Sequence, residues 1–424
     1  MQTYTDQDAQ ANRGADRRGS GTYRSGGGKS KGKGSKPKGS GRNRYDDPDN
    51  PNTAIRPKDP RKYRLMVIIG ACLMVLSGFV VVGDRVFRSI ANSSVTQEDL
   101  LPDDMKAAGK NIDGSVNILM LGMDERQNST AIIRTDSIII AHITAAHDKA
   151  YLISLPRDTM VNVPAYPASG FRGGTLKLTE SFGVGNQNSK GQGDDTQEGR
   201  RRGVGLLVKA IDTLIPGISF NGVAMINFVG FQKMVEALGG VDMCIDQRVE
   251  SVHYARNGRY MGEDIYSGPG YVYTPGCRHL QPWEALDYVR QRENLPHGDY
   301  DRQRHQQQFI MAMFKQLASK GTLTDISKFS ALKNALGQLL TLDLGQTDVT
   351  DWIFSFKSLR PSDVTMIQTN GGQYASQDVD GKSFQVLTPE SDQLMQALKA
   401  DQVAGFVAQH PDWVASSSAT TAPK

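Results

Sequence analysis

The feature that most limits what this chain can fold into is the run from Leu65 to Gly83, LMVIIGACLMVLSGFVVVG, 19 residues without a charge. As a helix it extends about 28 Å at ~1.5 Å per residue, enough to cross the hydrocarbon core of a bilayer. Arg61, Lys62 and Arg64 stand directly before it, so the positive-inside rule predicts a cytoplasmic N-terminus and an extracytoplasmic remainder. The run starts only after 64 residues, which suits a retained single-pass anchor better than a cleaved signal peptide.

The charge distribution agrees with that division. Residues 1–64 carry 16 Lys and Arg against 7 Asp and Glu; with 49 and 45 in the whole chain, 33 and 38 remain, so the later part is mildly acidic at −5. Residues 1–60 are rich in Gly, Ser, Lys and Arg without apolar periodicity, and so hold too little apolar surface to offset the entropy of ordering. They read as a disordered cytoplasmic tail with no recognisable DNA-binding module, and no nucleic-acid partner is expected. Residues 84–112 read as a polar stalk, 113–409 as the folded extracytoplasmic domain, and 410–424 as a short flexible tail.

Three short apolar runs follow the stalk, at 117–121, 137–143 and 150–155, each bounded by turn or charged residues as buried strands are. Paired as an antiparallel meander, they bring the end of the first, the start of the second and the end of the third to one place. Asp124, Arg134, Asp136 and Arg157 then gather at one end of a sheet. Two carboxylates beside arginines suit a hard cation and the anion it carries, although ordinary strand-end ion pairing yields the same residues.

Further along, TLKLTES (175–181) reads as the opening of a helix. Residues 187–203 read as a polar, Gly-rich loop in which Arg200, Arg201 and Arg202 are incidental. Helical spacing resumes at 206–215 and again at 228–238, where Gly239 and Gly240 stop it before a strand at 241–245. Pro282 at a first turn, with Trp283, Leu286 and Val289, defines another helix. It leads into Arg290-Gln291-Arg292. Residues two apart on a helix sit about 200° apart, so this helix should end near Tyr288 if both arginines act on one ligand. Asp299 then serves as N-cap of a helix to about Ser319, whose stripe Arg302, Gln306, Ile310, Met313, Phe314 turns from polar to apolar. That stripe either faces the core or lines a tunnel for a greasy tail. Guanidinium forks match phosphate in a fixed geometry, so four arginines in this short region suit an acidic ligand with several oxygens, although a solvated basic helix yields the same residues. No Walker loop, CxxC or HExxH motif occurs in the chain. Of three cysteines, Cys72 lies in the apolar run, whereas Cys244 and Cys277 are either a disulfide, if that part is extracytoplasmic, or two unrelated thiols.

Six segments in this order, NILMLGMD (117–124), RTDSI (134–138), ISLPRD (153–158), VEALGGV (235–241), ALDYVRQR (285–292) and GDYDRQRHQQQ (298–308), resemble the LytR-CpsA-Psr family of envelope glycopolymer ligases. The resemblance covers about 117–317 and includes the order of tail, anchor and outer domain. It implies an α/β fold, a central mixed β-sheet flanked by helices on both faces as an α-β-α sandwich. It also implies a polyprenyl-pyrophosphate-linked glycopolymer as donor, its prenyl chain in an apolar tunnel, Mg²⁺ at the pyrophosphate, and a peptidoglycan hydroxyl as acceptor. By motif, Asp124 and Asp136 match the metal carboxylates. Arg134, Arg157, Arg290, Arg292 and Arg302 match the pyrophosphate clamps, Gln306 the amide beside them, and Asp299 a base toward the acceptor.

Two departures stand out. The family's second arginine, three after Arg302, is here His305, with Arg304 one place early, and Lys177 lacks the asparagine that often follows it. The cysteine pair resembles the actinobacterial branch, where a disulfide in this region is expected, so a Cys244–Cys277 bond is implied. The resemblance predicts a membrane-bound phosphotransferase; the competing expectations are a non-enzymatic envelope sensor or transcriptional attenuator, and a lipid pyrophosphatase that uses water.

Overall fold

The computed structural model describes residues 96–107, 112–125, 131–262, 265–319, 340–345, 347 and 349–415. The expected disordered tail and membrane anchor lie outside them, and among the described residues no helix is long and apolar enough to cross a membrane.

In chain order the strands are β1 Thr96–Gln97, β2 Val116–Asp124, β3 Arg134–Ile143, β4 Ala150–Leu155, β5 Met160–Val163, β6 Gly174–Lys177, β7 Gly222–Asn227, β8 Val241–Ile245, β9 Val249–Ala255, β10 Gly270–Tyr273, β11 Gly276–Leu280, β12 Leu340–Asp343, β13 Val364–Gln368, β14 Ser376–Val379 and β15 Lys382–Gln385. The α-helices are α1 Leu178–Asn186, α2 Gln197–Leu214, α3 Phe228–Ala237, α4 Pro282–Arg290, α5 Gly298–Ser319, α6 Val349–Phe356, α7 Pro389–Lys399 and α8 Val403–Gln409.

Seven strands form one sheet in the order β1-β12-β7-β2-β3-β4-β13. It is mixed: β2 pairs antiparallel with β3 and β3 with β4, whereas β7 lies parallel to β2 and β13 parallel to β4. The meander expected from the three apolar runs is therefore its centre. Every residue of β4 is buried, because helices cover both faces. On one face Phe182 of α1, Leu206, Leu207 and Ile211 of α2, Leu394 of α7 and Phe406 of α8 share a core with Leu119, Leu121 and Ile153. On the other, Val235 of α3, Tyr288 and Val289 of α4, and Phe309 and Met313 of α5 pack with the small strands β8 and β10. This is the expected α-β-α arrangement.

Several boundaries differ from the sequence reading. Residues from 96 onward belong to the folded unit rather than to a stalk. β1 pairs with β12, Leu100 and Leu101 are fully buried, and both their N–H groups donate to Asp343 at 2.8 Å. At the other end Trp413 packs edge-on against Phe406, and Ala415 N–H donates to the Met366 carbonyl, so the unit runs through 415 rather than ending at 409. Gly174–Lys177 is a strand, and the helix expected to open there begins at Leu178. Arg200, Arg201 and Arg202 stand in the first turns of α2, not in a loop; Arg200 pairs with the buried Glu98 and Arg202 with Asp194 at 2.8 Å. These short or polar segments carry too few apolar positions for periodicity to assign them.

Strands β8 and β11 are antiparallel with Cys244 directly opposite Cys277, and the two are joined as a disulfide with a Cα–Cα distance of 3.7 Å. The bond closes a loop of 33 residues that holds β9 and β10. Loop-closure entropy makes such a link worth about 3–4 kcal/mol. Replacing both cysteines by serine should lower the unfolding free energy by roughly that amount, read as a shifted denaturant midpoint; an unchanged midpoint would show that the link contributes nothing.

Candidate active site

The site is built where β2, β3 and β4 meet, and its geometry starts from an irregularity. Along β2–β3 the register runs Gly122 opposite Ser137, then Met123 opposite Thr135, so Asp136 is an extra residue in β3. Such a bulge re-aims side chains. Here it breaks the two-residue alternation: Arg134, Asp136, Ser137 and Ile139 all line one cavity. Gly122 is required opposite it, because a Cβ there would lie 2.9 Å from Ser137 Cβ. At the end of the ladder Asp124 stands opposite Arg134, as the meander predicts.

The cavity has a volume of about 600 Å³, within the range typical of small-molecule sites, ~300–1,000 Å³. It lies between the sheet and α3, α4 and α5, and its body is apolar, with Met120, Ile226, Phe231, Met234, Phe309 and Leu342 among its walls. Phe231 and Phe309 stack at 4.4 Å. Its mouth is charged: Asp124, Arg134, Asp136, Arg157, Arg290, Arg292, Arg302 and Gln306 all line it. The expected stripe on α5 thus divides. Arg302, Gln306 and Ile310 face the cavity, whereas Met313 belongs to the core.

Within the mouth, Arg157 Nη1 donates to Asp136 Oδ1 at 2.7 Å, and Arg302 Nη2 donates to the Asp136 carbonyl at 3.0 Å. Asp299 pairs with Arg302 at 2.5 Å and lies 3.7 Å from Arg157. Burial works to raise the pKa of Asp136, but the charges of Arg157, Arg302 and Arg134 outweigh it and hold the carboxyl below its ordinary range. Arg302 Nε and Gln306 Oε1 are among the buried polar atoms here that make no hydrogen bond among the described residues. Buried polar atoms are almost always satisfied, so these are available to a ligand. Asp299 lies inside the first turn of α5, which begins at Gly298, and is not its N-cap. It faces a second, adjoining cavity that shares Arg292 with the first.

Arg290 and Arg292 reach the same cavity even though the helix runs to Arg290 and does not stop near Tyr288. The chain turns extended at Gln291, with φ −66° and ψ 131°, which brings Arg292 back toward the mouth. Gln291 is fully buried and fixes this turn. Its amide donates to the Asp287 carbonyl at 3.0 Å and to the Asp287 carboxylate, and its Oε1 accepts from Val252 N–H at 3.0 Å. Asp287 also accepts from Ser251 and from Tyr273 and meets His253. Arg290 stacks on Phe228, its guanidinium carbon 4.2 Å from the ring centre. Asp287 and Gln291 lie within the ALDYVRQR segment, whereas Phe228, Ser251, Val252, His253 and Tyr273 lie outside the six segments.

The residues of the two departures from the family pattern, Arg304, His305 and Lys177, do not line this cavity. Arg304 is held by Asp246 at 2.8 Å and by Asp301. His305 is fully buried against Tyr288, ring centres 4.4 Å apart, and burial pushes its pKa down to about 4. Lys177 pairs with Asp158 at 3.2 Å.

The LytR_cpsA_psr family model matches residues 86–400. The chain belongs to that family. Among relatives, it is 27% identical over 263 residues to the cell wall biosynthesis protein LcpA of Corynebacterium glutamicum, covering 56% of this chain and 46% of that protein. It is also 27% identical over 252 residues to a TagU of Oceanobacillus iheyensis named polyisoprenyl-teichoic acid–peptidoglycan teichoic acid transferase, covering 59% and 66% of the two chains. The match thus spans about half of the corynebacterial relative and just under two thirds of the other. Among solved structures, protein gbs0355 of Streptococcus agalactiae aligns at TM-score 0.52 and 21% identity, covering 68% of this chain and 88% of that one. The fold of this LytR_cpsA_psr chain is therefore that of a known crystal structure.

The lowered pKa of Asp136 gives a pH signature. Its contribution to stability is fully present above its ordinary value of 3.8 and is lost as pH falls through the lower folded value. Asp136→Asn should therefore be less stable than wild type at neutral pH, with the gap narrowing as pH falls below 3.8 and through the lower folded value. A gap that stays constant across an acid titration of the denaturant midpoint would contradict the ion-pair account.

Proposed function

We propose that this chain transfers a glycopolymer from a polyprenyl-pyrophosphate carrier to a hydroxyl of peptidoglycan, forming a phosphodiester and releasing polyprenyl phosphate. One observation carries the reading: a deep apolar cavity opens at a mouth lined by five arginines and two carboxylates. A ligand that satisfies both parts has a greasy tail joined to a multiply charged oxyanion. Family membership and the transferase named among the relatives support the same class of reaction.

Phosphoryl transfer of this kind asks for positioning and charge stabilisation rather than a protein nucleophile. Arg157 and Arg302 are braced by Asp136 and Asp299, so their forks are oriented before a phosphate arrives. Arg134, Arg290 and Arg292 close the remaining sides of the mouth. Asp299 is the group we assign to accept the proton of the attacking hydroxyl. Two carboxylates completed by phosphate oxygens and water are a fitting donor set for Mg²⁺, and Asp124 and Asp136 would hold it. A cation there supplies further neutralisation of the pyrophosphate oxygens. The uncharged run at 65–83 suits a single-pass anchor that keeps the domain on the outer face of the membrane, where both a lipid-linked donor and the wall are in reach.

The experiment uses the full-length chain with a polyprenyl-diphosphate-linked saccharide and peptidoglycan oligomers, following coupled product and prenyl phosphate. Arg290→Ala and Asp136→Ala should each lower transfer on the order of 100-fold or more, as loss of a charge-stabilising group does, and chelation of divalent cations should lower it too. Variants that transfer as well as wild type would overturn the reading. Indifference to chelator would remove the metal from it.

A further inference from the structure

A second cavity of about 330 Å³ adjoins the first beyond Asp299. Arg292 lines both, whereas Asp299 lines only the second, although its ion-pair partners Arg302 and Arg157 line only the first. The Asp299 carboxylate therefore forms the wall between an apolar chamber and a polar one.

The second chamber has a different chemistry from the first. Asp158, Glu293 and Gln385 line it together with Tyr300 and Tyr374, and Tyr374 is 51% exposed. Asp158 and Glu293, paired with Lys177 and Arg292, and Gln385 can accept hydrogen bonds from hydroxyls, and the tyrosine ring offers an aromatic face. The chamber is also firmly constructed. Tyr374 OH accepts a hydrogen bond from Asp299 N–H at 2.8 Å, and its ring meets Tyr300 edge-on at 5.3 Å. Gly298, with φ +44°, permits this approach, since a Cβ there would fall 2.4 Å from the Tyr374 hydroxyl. Gln385 N–H donates to the Asp158 carbonyl at 2.9 Å, which ties β15 to the loop after β4. Tyr374 and Gln385 both come from the C-terminal segment, beyond the motif-bearing region.

We propose that this second cavity is the acceptor subsite, where a hydroxyl-bearing saccharide lies on Tyr374 with its nucleophilic hydroxyl at Asp299. The inference rests on the transferase reading above. In phosphoryl transfer the attacking and leaving oxygens lie roughly in line. With the prenyl phosphate leaving into the apolar cavity, the nucleophile needs its own approach to the phosphorus, and the second cavity adjoins the first at Arg292 and Asp299. The acceptor oxygen bonds to the phosphorus that carries the donor glycan, the bridging P–O bond breaks with its electron pair going to prenyl phosphate, and the hydroxyl proton passes to the Asp299 carboxylate.

The test compares wild type, Tyr374→Ala and Tyr374→Phe, full length, with a prenyl-diphosphate-linked saccharide as donor and peptidoglycan glycan fragments as acceptor. Tyr374→Ala should raise the acceptor KM about tenfold relative to the donor KM and shift product from transfer toward donor hydrolysis. Tyr374→Phe, which keeps the ring, should restore the acceptor KM. A rise confined to the donor KM would assign the saccharide to the donor and overturn the proposal. So would an equal fall in transfer and hydrolysis, which marks a residue that only positions Asp299. Equilibrium binding of the same fragments, read by ligand NMR, separates this proposal from the one beneath it. If wild type makes no coupled product yet binds fragments and Tyr374→Ala does not, the transfer reading fails while the subsite stands. No fragment binding by wild type sinks the subsite.

Discussion

The extra residue in β3 is the constraint on which the mouth of the cavity depends. A regular strand would send Asp136 and Ser137 to opposite faces; the bulge turns both toward the cavity. Asp136 then meets Arg157 from the end of β4 and, through its carbonyl, Arg302 from α5. Two consecutive strands and a helix distant in sequence are joined at one backbone irregularity, and Gly122 across the ladder leaves the room it needs. The cost of crowding five arginines is offset only in part: Asp124 and Asp136 line the same cavity, and Asp299 and Glu293 pair with Arg302 and Arg292 from the adjoining one. A multiply charged anion completes that balance.

Helix α5 sets the rest of the geometry, and polar contacts fix its depth. Gln307 is fully buried and donates to the Leu152 and Ile367 carbonyls at 3.2 and 2.9 Å and to Ser154 Oγ at 2.8 Å. One amide thus pins the helix across neighbouring strands β4 and β13. With its depth fixed, the same helix presents Arg302 and Gln306 at the mouth, and Phe309 and Ile310 to the apolar body. The two halves of the cavity are therefore adjacent turns of a single rigid element, which suits a ligand whose charged and greasy parts are covalently joined.

Much of this was legible in the residues. Charged residues at the ends of three apolar runs placed Asp124, Arg134, Asp136 and Arg157 together once an antiparallel meander was assumed, and the seven-stranded sheet contains that meander. The arginines after α4 and on α5 were legible from their spacing and from the family resemblance. The bulge was not, because strand periodicity assumes an unbroken alternation. Nor was the turn that brings Arg290 and Arg292 to one cavity, which relies on the buried Gln291 and Asp287. The apolar walls come from β7, β12, α3 and α5, segments whose shared face no local pattern reveals. Leu100 and Leu101 lie in a polar stretch too short to show a period, and Tyr374 in a turn that sequence gives no reason to single out.

The most direct test of the central claim, that one cavity takes both a pyrophosphate and its lipid, is equilibrium binding of prenyl diphosphates of increasing chain length. Each added isoprene unit that enters the apolar body buries several carbons worth ~0.8 kcal/mol each, so affinity should rise more than tenfold per unit until the cavity is filled. The matching monophosphates should bind more weakly at every length. Affinity that is independent of chain length, or equal for mono- and diphosphates, would contradict the account.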